Sequence, residues 1–306
     1  MPFIDIHTHT NHSDGTTTVE NSLRCAEDLG LSIFSITDHN TVSAYGEVVE
    51  KKQLFSGKIL TGVELGTVYH GESIEVLGYG IDLSEMAKKI RLHYPTFYDK
   101  QVRAAKMDTE AMLRYGVVLS DAFVDAMCNR PQSIFNPYSE TNRPYLLQEI
   151  KRHSENVRFF RDSAEFEHID KHRFTREYLF NSKSSLFSDQ SCFFPSFRDT
   201  VKMIHECGGL AFLAHPLLYA SHFTAYLEEI ASSDIDGLEC CYGTFTGEQI
   251  EFLSEICCKH RVYQSGGSDF HGLDRRPNNI LGQAGGKPIS QALIEPWLPF
   301  VKERLL

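Results

Sequence analysis

Short apolar runs alternate with helix-type patterns at both ends of this chain, and that alternation restricts its fold more than any other feature. Near the start, the runs Phe3–His9 and Ser32–Thr37 flank an amphipathic segment, Glu20–Leu29. In the last third, the helix-type segment Phe197–Cys207 leads through two glycines into the apolar run Leu210–Ala214. Strands that alternate with helices indicate a parallel sheet or barrel, so we predict an α/β fold.

The whole pattern contains about seven strands, one short of the eight of a standard (β/α) barrel. It fills the ranges 1–84 and 196–306, which we expect to form one barrel domain. The other strand segments are Lys58–Val63, Ile74–Tyr79, Gly237–Cys241 and Val262–Ser265, and the other helical ones are Val42–Lys52, Thr224–Ser232 and Gly247–His260.

Residues 85–195 have a different pattern, with several helices and no convincing strand. A long helix-type segment ends at Gly116, and another begins behind Ser120. Glycine commonly follows a helix and serine commonly caps the start of one. We therefore predict that this range is an inserted helical domain that caps the barrel.

The motif "FIDIHTHTNHSDGTT", residues 3–17, places ligand-type side chains at the end of the first strand. His7 and His9 share one face of that strand because side chains alternate with period two. Asp14 follows in the turn, where its carboxylate could reach a second metal ion. An isolated HxH motif is weak evidence, so the rest of the chain decides its meaning.

Four further apolar strands end in residues of the same type. Each residue also has an ordinary structural explanation, such as a helix cap or a packed core histidine. Their shared position favours a metal centre, because the carboxyl ends of parallel strands form the active site in α/β folds. These strand ends carry Asp38-His39, Glu64, His215, and Asp269 with His271.

The ordered motifs HxH, DH, strand-end Glu, late His and DxH resemble the PHP superfamily (polymerase and histidinol phosphatase), from residue 7 to residue 271. The resemblance implies a distorted seven-stranded (β/α)7 PHP barrel that holds two or three divalent ions. A mixed histidine and carboxylate set suits Mn²⁺, Zn²⁺ or Fe²⁺ better than Ca²⁺.

The resemblance also assigns ligands to each ion. The first ion would be held by His7, His9, Glu64 and Asp269, the second by Asp14, His39 and His271, and a third by His215 with Glu64 as a bridge. The expected catalytic residues are His39, Asp269 and Asp38, the last as a carboxylate that orients an imidazole.

Within the superfamily, the chain is similar to a branch of nucleoside mono- and bisphosphate phosphatases and 5′–3′ oligoribonucleotide exonucleases. By that resemblance Arg143 would contact the substrate phosphate, and Arg275 with Arg276 are a second candidate contact. Two positions depart from the branch. Tyr145 replaces the histidine of the branch's G-R-P-H and cannot act as an imidazole, so specificity would differ if this position contacts substrate. Glu75 replaces a histidine expected on the third ion. Glutamate ligates the same metals, so the third site either persists or is lost.

Three functions remain open at this point. The first is hydrolysis of a phosphomonoester of a small nucleotide, a nucleoside mono- or 3′,5′-bisphosphate, by a metal-bound hydroxide. The second is 5′–3′ exonuclease action on short single-stranded oligonucleotides with the same ions. The third is a metal-binding accessory domain without turnover.

The composition excludes some other classes. The formal net charge of −11 argues against a protein that grips long nucleic acid over its whole surface. No segment has the ~20 apolar residues of a membrane span, and the start of the chain lacks a secretory pattern, so we expect a cytoplasmic protein without a membrane partner. The eight cysteines lack CxxC spacing, and we expect them to be small buried hydrophobes.

Overall fold

The computed structural model describes residues 2–130 and 143–306. These residues form two compact units. The first comprises Met1–Thr67, Ile74–Tyr94 and Pro195–Leu306, and the second comprises Val68–Ser73 and Pro95–Phe194. Within the predicted insertion, residues 131–142 lie outside the described residues.

A three-stranded parallel sheet contains the first strands of the chain. It consists of β1 (Phe3–Asp5), β2 (Leu31–Phe34) and β3 (Lys58–Ile59), in that order. Strands β1 and β2 are parallel, as are β2 and β3, so their carboxyl ends lie at the same edge. These strands are shorter than the predicted apolar runs because the backbone leaves the ladder before the ligand-type residues.

A five-stranded sheet follows in the order β4-β5-β6-β7-β8. Strands β7 and β8 are parallel, as are β6 and β7, but β5 runs antiparallel to β6. The expectation of a purely parallel sheet was therefore wrong, because β4 and β5 are joined by a two-residue turn that only antiparallel neighbours allow. The strands are β4 (Gly62–Tyr69), β5 (Glu72–Tyr79), β6 (Leu210–Leu213), β7 (Gly237–Tyr242) and β8 (Tyr263–Gly267).

Backbone hydrogen bonds join the two sheets at both sides. Beyond β1 and β8, the Asp269 N–H donates to the His7 carbonyl at 2.8 Å, and the His9 N–H donates to the Phe270 carbonyl at 2.8 Å. Beyond β2, the Glu64 N–H donates to the Thr37 carbonyl at 3.1 Å. Residues distant in sequence are therefore neighbours in one hydrogen-bonded network at the strand ends.

Helices of the first unit follow the strands, and their caps agree with their sequences. The hydroxyl of Thr18 accepts from Asn21 at the start of α1, and Thr246 with Gln249 forms a capping box on α11. The helices are α1 (Val19–Asp28), α2 (Ala44–Lys51), α3 (Leu83–His93), α9 (Phe197–Glu206), α10 (Leu227–Ala231), α11 (Gly247–His260) and α12 (Leu298–Val301); the labels α4–α8 belong to the second unit. A short antiparallel pair, β9 (Gln283–Ala284) and β10 (Lys287–Pro288), was not predicted.

The core of the first unit receives side chains from both sheets. Ile4 and Ile33 of the three-stranded sheet lie in one buried cluster with Leu77 and Phe212 of the five-stranded sheet. Trp297 closes this cluster, and its indole N–H donates to the Gln264 carbonyl at 2.8 Å. The shared core makes this a mixed α/β unit in which both sheets are needed to bury apolar surface.

The second unit contains the ends of β4 and β5 in Val68–Ser73 and a longer helical segment. Its described residues between Pro95 and Phe194 form helices and no strand. Ser120 caps α5 by accepting from the Phe123 N–H, and Gly116 follows α4 with a φ of 78°. The helices are α4 (Phe97–Arg114), α5 (Asp121–Asn129), α6 (Arg143–Lys151), α7 (Ser163–His168) and α8 (Lys171–Phe174).

The cysteines are free thiols, but only some are buried. Cys207, Cys240 and Cys257 fill the core as expected, whereas Cys25 and Cys258 are exposed on helices. The expectation of uniformly buried cysteines was therefore wrong. Among the residues of 2–130 and 143–306, no helix is both long enough and apolar enough to cross a bilayer.

Candidate metal centre

Ligand-type side chains from five strands converge in the first unit. Those that follow β1, β2 and β8 lie beyond the strand ends, whereas Glu64 and Glu75 lie within β4 and β5. These side chains form three groups in which one ligand atom from each residue lies within 4.8 Å of the others. The groups are His7, His9, Glu64 and Asp269; His9, Asp14, His39 and His271; and His39, Glu64 and Glu75.

Glu64 lies at the centre of this arrangement and is fully buried. Its Oε2 atom is 3.1 Å from Nε2 of His9, 3.1 Å from Nδ1 of His39 and 3.4 Å from Nε2 of His7. Its Oε1 atom lies 2.9 Å from Nε2 of His215. One carboxylate therefore faces four imidazoles that come from three other strands.

Asp269 faces the same groups with only one of its oxygens. Its Oδ1 atom lies 3.2 Å from Nε2 of His9 and 3.4 Å from Nε2 of His7. Its Oδ2 atom accepts from the Tyr242 hydroxyl at 2.7 Å and also from Arg276. These two donors orient the carboxylate so that Oδ1 remains available to a cation.

Asp14 contacts the imidazoles of the second predicted ligand set. Its Oδ1 atom is 3.0 Å from Nε2 of His271 and 3.6 Å from Nε2 of His39. Its Oδ2 atom accepts from Arg275 at 3.0 Å. The structure thus brings the predicted second set together and adds His9, which borders both groups.

Glu75 lies beside His215, where the sequence predicts the third ion. The two carboxylate oxygens of Glu75 lie 3.4 Å from Nδ1 of His39 and 3.3 Å from Nε2 of His215. Glu64 contacts the same two imidazoles, so the two carboxylates share them. The glutamate at this position thus points at the ligand-type residues.

Asp38 makes different contacts from those predicted. Its carboxylate accepts from the Thr10 N–H at 2.8 Å, the Thr10 hydroxyl at 2.6 Å and the Ser13 hydroxyl at 2.6 Å. These bonds fix the loop that carries Asp14. In the structure Asp38 therefore holds a loop, whereas the sequence suggested that it orients an imidazole.

Glu239, which the predicted site does not include, orients the imidazole of His7. It lies on β7 and is fully buried. Its Oε1 atom is 2.7 Å from Nδ1 of His7, and its Oε2 atom accepts from the backbone N–H of His215 at 2.7 Å. A carboxylate on Nδ1 selects the tautomer that leaves Nε2 free to ligate. The available signal was an acidic residue inside the apolar run "GLECC".

We expect Glu239→Gln to weaken Mn²⁺ binding by about 10- to 100-fold, as for other partners of ligating histidines. The amide loses the charge that holds the His7 proton on Nδ1. Isothermal titration with Mn²⁺ measures the change, with Glu248→Gln on the exposed start of α11 as the matched control. Equal Mn²⁺ affinity in the two variants would remove Glu239 from this role.

The backbone is strained where it presents two of these side chains. His215 and Asp269 have φ values of 29° and 53°, in a region that non-glycine residues rarely occupy. Each follows the end of a strand, β6 or β8. At Gly267 an added Cβ would lie 2.3 Å from the Cβ of His7, so only glycine lets β8 approach the HxH segment this closely.

The buried ligand atoms fit a cation better than any other occupant. Buried polar atoms almost always have hydrogen-bond partners. In the described ranges, six ligand atoms at this site face one another at 3.0–3.4 Å but make no well-aligned hydrogen bond: Nε2 of His7, His9 and His271, Oε2 of Glu64, and Oδ1 of Asp14 and Asp269. Such a convergence of buried donors and acceptors without hydrogen bonds is expected of residues that bind a metal ion.

The electrostatics of the site lead to the same conclusion. Burial raises the pKa of Glu64, but the imidazoles of His39 and His7 outweigh it and hold that pKa well below its usual range. Burial lowers the pKa of His9, yet Asp269 and Glu64 raise it to about 9. The carboxylates thus remain ionised, and their combined field favours positive charge.

The predicted substrate residues fall into two places. Arg275 and Arg276 lie at the site, where each donates to a ligand-type carboxylate. Arg143 begins α6 in the second unit, and its guanidinium lies 4.6 Å from the Phe180 ring centroid. Tyr145, also on α6, packs against a small cluster that includes Met127.

Comparisons with known proteins agree with this geometry. Residues 5–194 match the model of the PHP domain. Over 274 residues the chain is 24% identical to the 5′-3′ exoribonuclease Rnm of Escherichia coli, covering 87% of this chain and 84% of that protein. Over 279 residues it is 24% identical to the 3′,5′-nucleoside bisphosphate phosphatase of Chromobacterium violaceum, covering 89% and 88%.

A solved structure shows the same fold. That structure is an amidohydrolase from Chromobacterium violaceum with bound sulfate. It superposes on this chain with a TM-score of 0.66 at 22% sequence identity. The match covers 99% of this chain and 97% of that one. The ordered motifs, the converging ligand groups and the match over residues 5–194 lead to one conclusion: this chain belongs to the PHP domain family.

Proposed function

We propose that this chain is a metal-dependent phosphoesterase that removes phosphate from a small nucleotide, a nucleoside mono- or 3′,5′-bisphosphate. The observation that carries this proposal is the set of six buried ligand atoms that face one another without a well-aligned hydrogen bond in the described residues. The relatives support it, since both are named as enzymes that cleave phosphate esters.

The residues present fit two or three Mn²⁺, Zn²⁺ or Fe²⁺ ions. His7, His9, Glu64 and Asp269 would hold the first, Asp14, His39 and His271 the second, and His215, Glu64 and Glu75 the third. Divalent ions in such sites activate water near neutral pH and neutralise charge on a phosphoryl group.

The other residues of the site position these ligands. Glu239 holds His7 and the backbone of His215, Asp38 holds the loop of Asp14, and Tyr242 fixes Asp269. Arg275 and Arg276 carry positive charge beside the ligand carboxylates and are proposed to contact a bound phosphate.

A serine nucleophile is not part of the proposal. The two serines nearest the motifs, Ser13 and Ser268, each donate their hydroxyl hydrogen bond to a carboxylate at 2.6 Å, Asp38 and Asp5 respectively. Ser13 Oγ also lies 3.5 Å from Nδ1 of His9, but its proton is donated to Asp38 at the much shorter distance, so the imidazole is not placed to accept that proton as nucleophilic catalysis requires.

We also propose that the two sheets form one distorted seven-stranded barrel. Strands β3 and β4 are separated by two residues, and β3 pairs with β2 while β4 pairs with β5. If β3 and β4 are counted as one strand that passes from one sheet to the other, the two sheets together contain seven strands. The backbone bonds between β1 and β8 segments support closure on the other side.

A second candidate is 5′–3′ exonuclease action on short oligonucleotides, favoured by the relative of that name. The two activities are separated by incubating the Mn²⁺-loaded protein with nucleoside monophosphates, 3′,5′-bisphosphates and 5′-phosphorylated short RNA. Inorganic phosphate from the mononucleotides supports the phosphatase, whereas mononucleotides released from RNA support the exonuclease. Turnover of none of them would leave the third reading, a metal-binding accessory domain.

Arg143→Ala is expected to raise the KM for a nucleotide about tenfold if this guanidinium contacts the substrate phosphate. Loss of a hydrogen bond to a charged group costs ~1.5–3 kcal/mol, and ~1.4 kcal/mol corresponds to a factor of ten. Steady-state kinetics measure the effect, with Arg152→Ala just past the same helix as the control. An unchanged kcat/KM for Arg143→Ala would exclude this contact.

A further inference from the structure

Tyr219 connects the two segments that carry Glu75 and His215, and none of the roles assigned above uses it. It follows His215 by four residues, in the segment after β6. Its hydroxyl accepts from the backbone N–H of Glu75 at 2.9 Å and donates to the Ala214 carbonyl at 3.1 Å, with the Glu75 carbonyl 3.5 Å away. One side chain thus bridges the backbones beside two of the proposed ligands of the third ion.

This bridge replaces one hydrogen bond of the sheet. Strands β5 and β6 are antiparallel, and their register pairs Val76 with Leu213, which places Glu75 opposite Ala214. Opposed residues of a hydrogen-bonded pair exchange two backbone hydrogen bonds. Here the Ala214 N–H donates to the Glu75 carbonyl at 3.0 Å, but the Glu75 N–H donates to the tyrosine hydroxyl. The hydroxyl is therefore inserted into the ladder at the residue pair next to the site.

The ring of Tyr219 also contacts the imidazole of His215. The centroids of these two rings are 5.5 Å apart, and the ring of buried Phe223 lies edge-on to Tyr219 at 4.8 Å. Aromatic pairs at these separations stabilise a defined ring orientation. His215 has a strained φ of 29°, which persists only where the surroundings hold it. Tyr219 therefore supports the His215 side chain as well as the Glu75 backbone.

The carboxylate of Glu75 depends on its backbone for its position. Its two oxygens face imidazoles of the site, at 3.4 Å from Nδ1 of His39 and 3.3 Å from Nε2 of His215. Glu64 contacts the same two imidazoles, so two negative charges share them and repel each other. Backbone hydrogen bonds of β5 oppose this repulsion, and Tyr219 accepts one of them.

We propose that Tyr219 is a positioning residue for the third divalent ion and holds its ligands Glu75 and His215 in place. The inference rests on the proposed metal-dependent function and deepens it, because it separates the third ion from the other two. The first two ligand groups contain neither Glu75 nor His215. Removal of the hydroxyl therefore affects the third ion alone.

The test is Tyr219→Phe, which removes the hydroxyl and keeps the ring. Tyr115→Phe is the matched control, because the Tyr115 hydroxyl also donates to a backbone carbonyl, that of Phe187 at 2.9 Å, but in the second unit. Mass spectrometry counts the Mn²⁺ ions bound per chain over a series of free Mn²⁺ concentrations. We expect Tyr219→Phe to weaken binding of the third ion by about 10- to 100-fold, as for other residues that orient metal ligands, and to leave the other two ions unchanged.

The double variant Glu75→Ala/Tyr219→Phe separates positioning from a general structural role. A hydroxyl that acts through Glu75 has a smaller effect on third-ion binding once the carboxylate is gone, so the two losses are not additive. Additive losses would overturn the inference. So would equal third-ion binding in Tyr219→Phe and the wild type, equal weakening of all ions, or a wild-type protein that binds only two.

Thermal melting of the metal-free proteins identifies a variant that fails to fold. In that case Tyr219→Met, which also lacks the hydroxyl and adapts its shape to the same space, replaces Tyr219→Phe. Counting bound ions requires no turnover. If no nucleotide is hydrolysed while the third ion binds to the wild type and is lost from the variant, the proposed function fails and the role of Tyr219 is retained.

Discussion

Glu64→Gln is expected to lower turnover by about a thousandfold or more. Metal ions contribute several kcal/mol to charge stabilisation in such reactions, and each ~1.4 kcal/mol corresponds to a factor of ten. Among the described residues, only Glu64 belongs to both the first and the third ligand group. A neutral amide of the same shape keeps the packing but removes the charge that faces His7, His9 and His39.

The loss should come from the metal and not from unfolding. Glu64 is fully buried, so the isosteric glutamine preserves the volume of the side chain. Metal content by mass spectrometry and thermal melting are measured beside kcat, with Glu85→Gln on the exposed face of α3 as control. Near wild-type turnover with an unchanged metal content would remove Glu64 from the centre of the site.

Asp269→Asn is expected to have a similar effect on turnover and, unlike Glu64→Gln, a measurable effect on stability. Its Oδ1 atom faces His7 and His9, while its Oδ2 atom accepts from Tyr242 and Arg276. The asparagine side chain is neutral, so it presents no anionic oxygen to the imidazoles or to the hydroxyl and guanidinium. Leaving a largely buried charged group without its partner costs about 1–3 kcal/mol in the free energy of unfolding.

Asp274→Asn provides the control for this change, since Asp274 lies in the same loop and accepts from the Thr16 hydroxyl at 2.6 Å. Chemical denaturation gives the free energies of unfolding, and phosphate release gives the rates. A variant at position 269 that keeps the wild-type rate, whatever its stability, would contradict its assignment as a ligand.

The convergence of these residues could be anticipated because parallel strands deliver their carboxyl ends to one edge. His7 and His9 share a strand face through simple alternation, and Glu64 ends an apolar run. The helix-type pattern of Gly247–His260 predicted α11 with these bounds, and the structure adds the Thr246 cap.

Other features depend on contacts between distant segments, which a sequence pattern does not contain. Glu239 lies within β7 and Asp38 follows β2, and only the packing of these distant segments decides that Glu239 meets His7. The reversal of β5 follows from a turn at His70-Gly71, where both residues have positive φ values. The split of the predicted strand Lys58–Val63 arises because its two halves pair with different neighbours.

The central claim is that buried histidines and carboxylates from separate strands bind divalent cations at one place. Crystals soaked in Mn²⁺ and measured at the manganese absorption edge test it most directly. The account predicts at least two anomalous peaks, one against Nε2 of His7 and Oε2 of Glu64 and another against Asp14 and His271. Fully soaked crystals without peaks at these atoms, or with peaks only elsewhere on the protein, would contradict it.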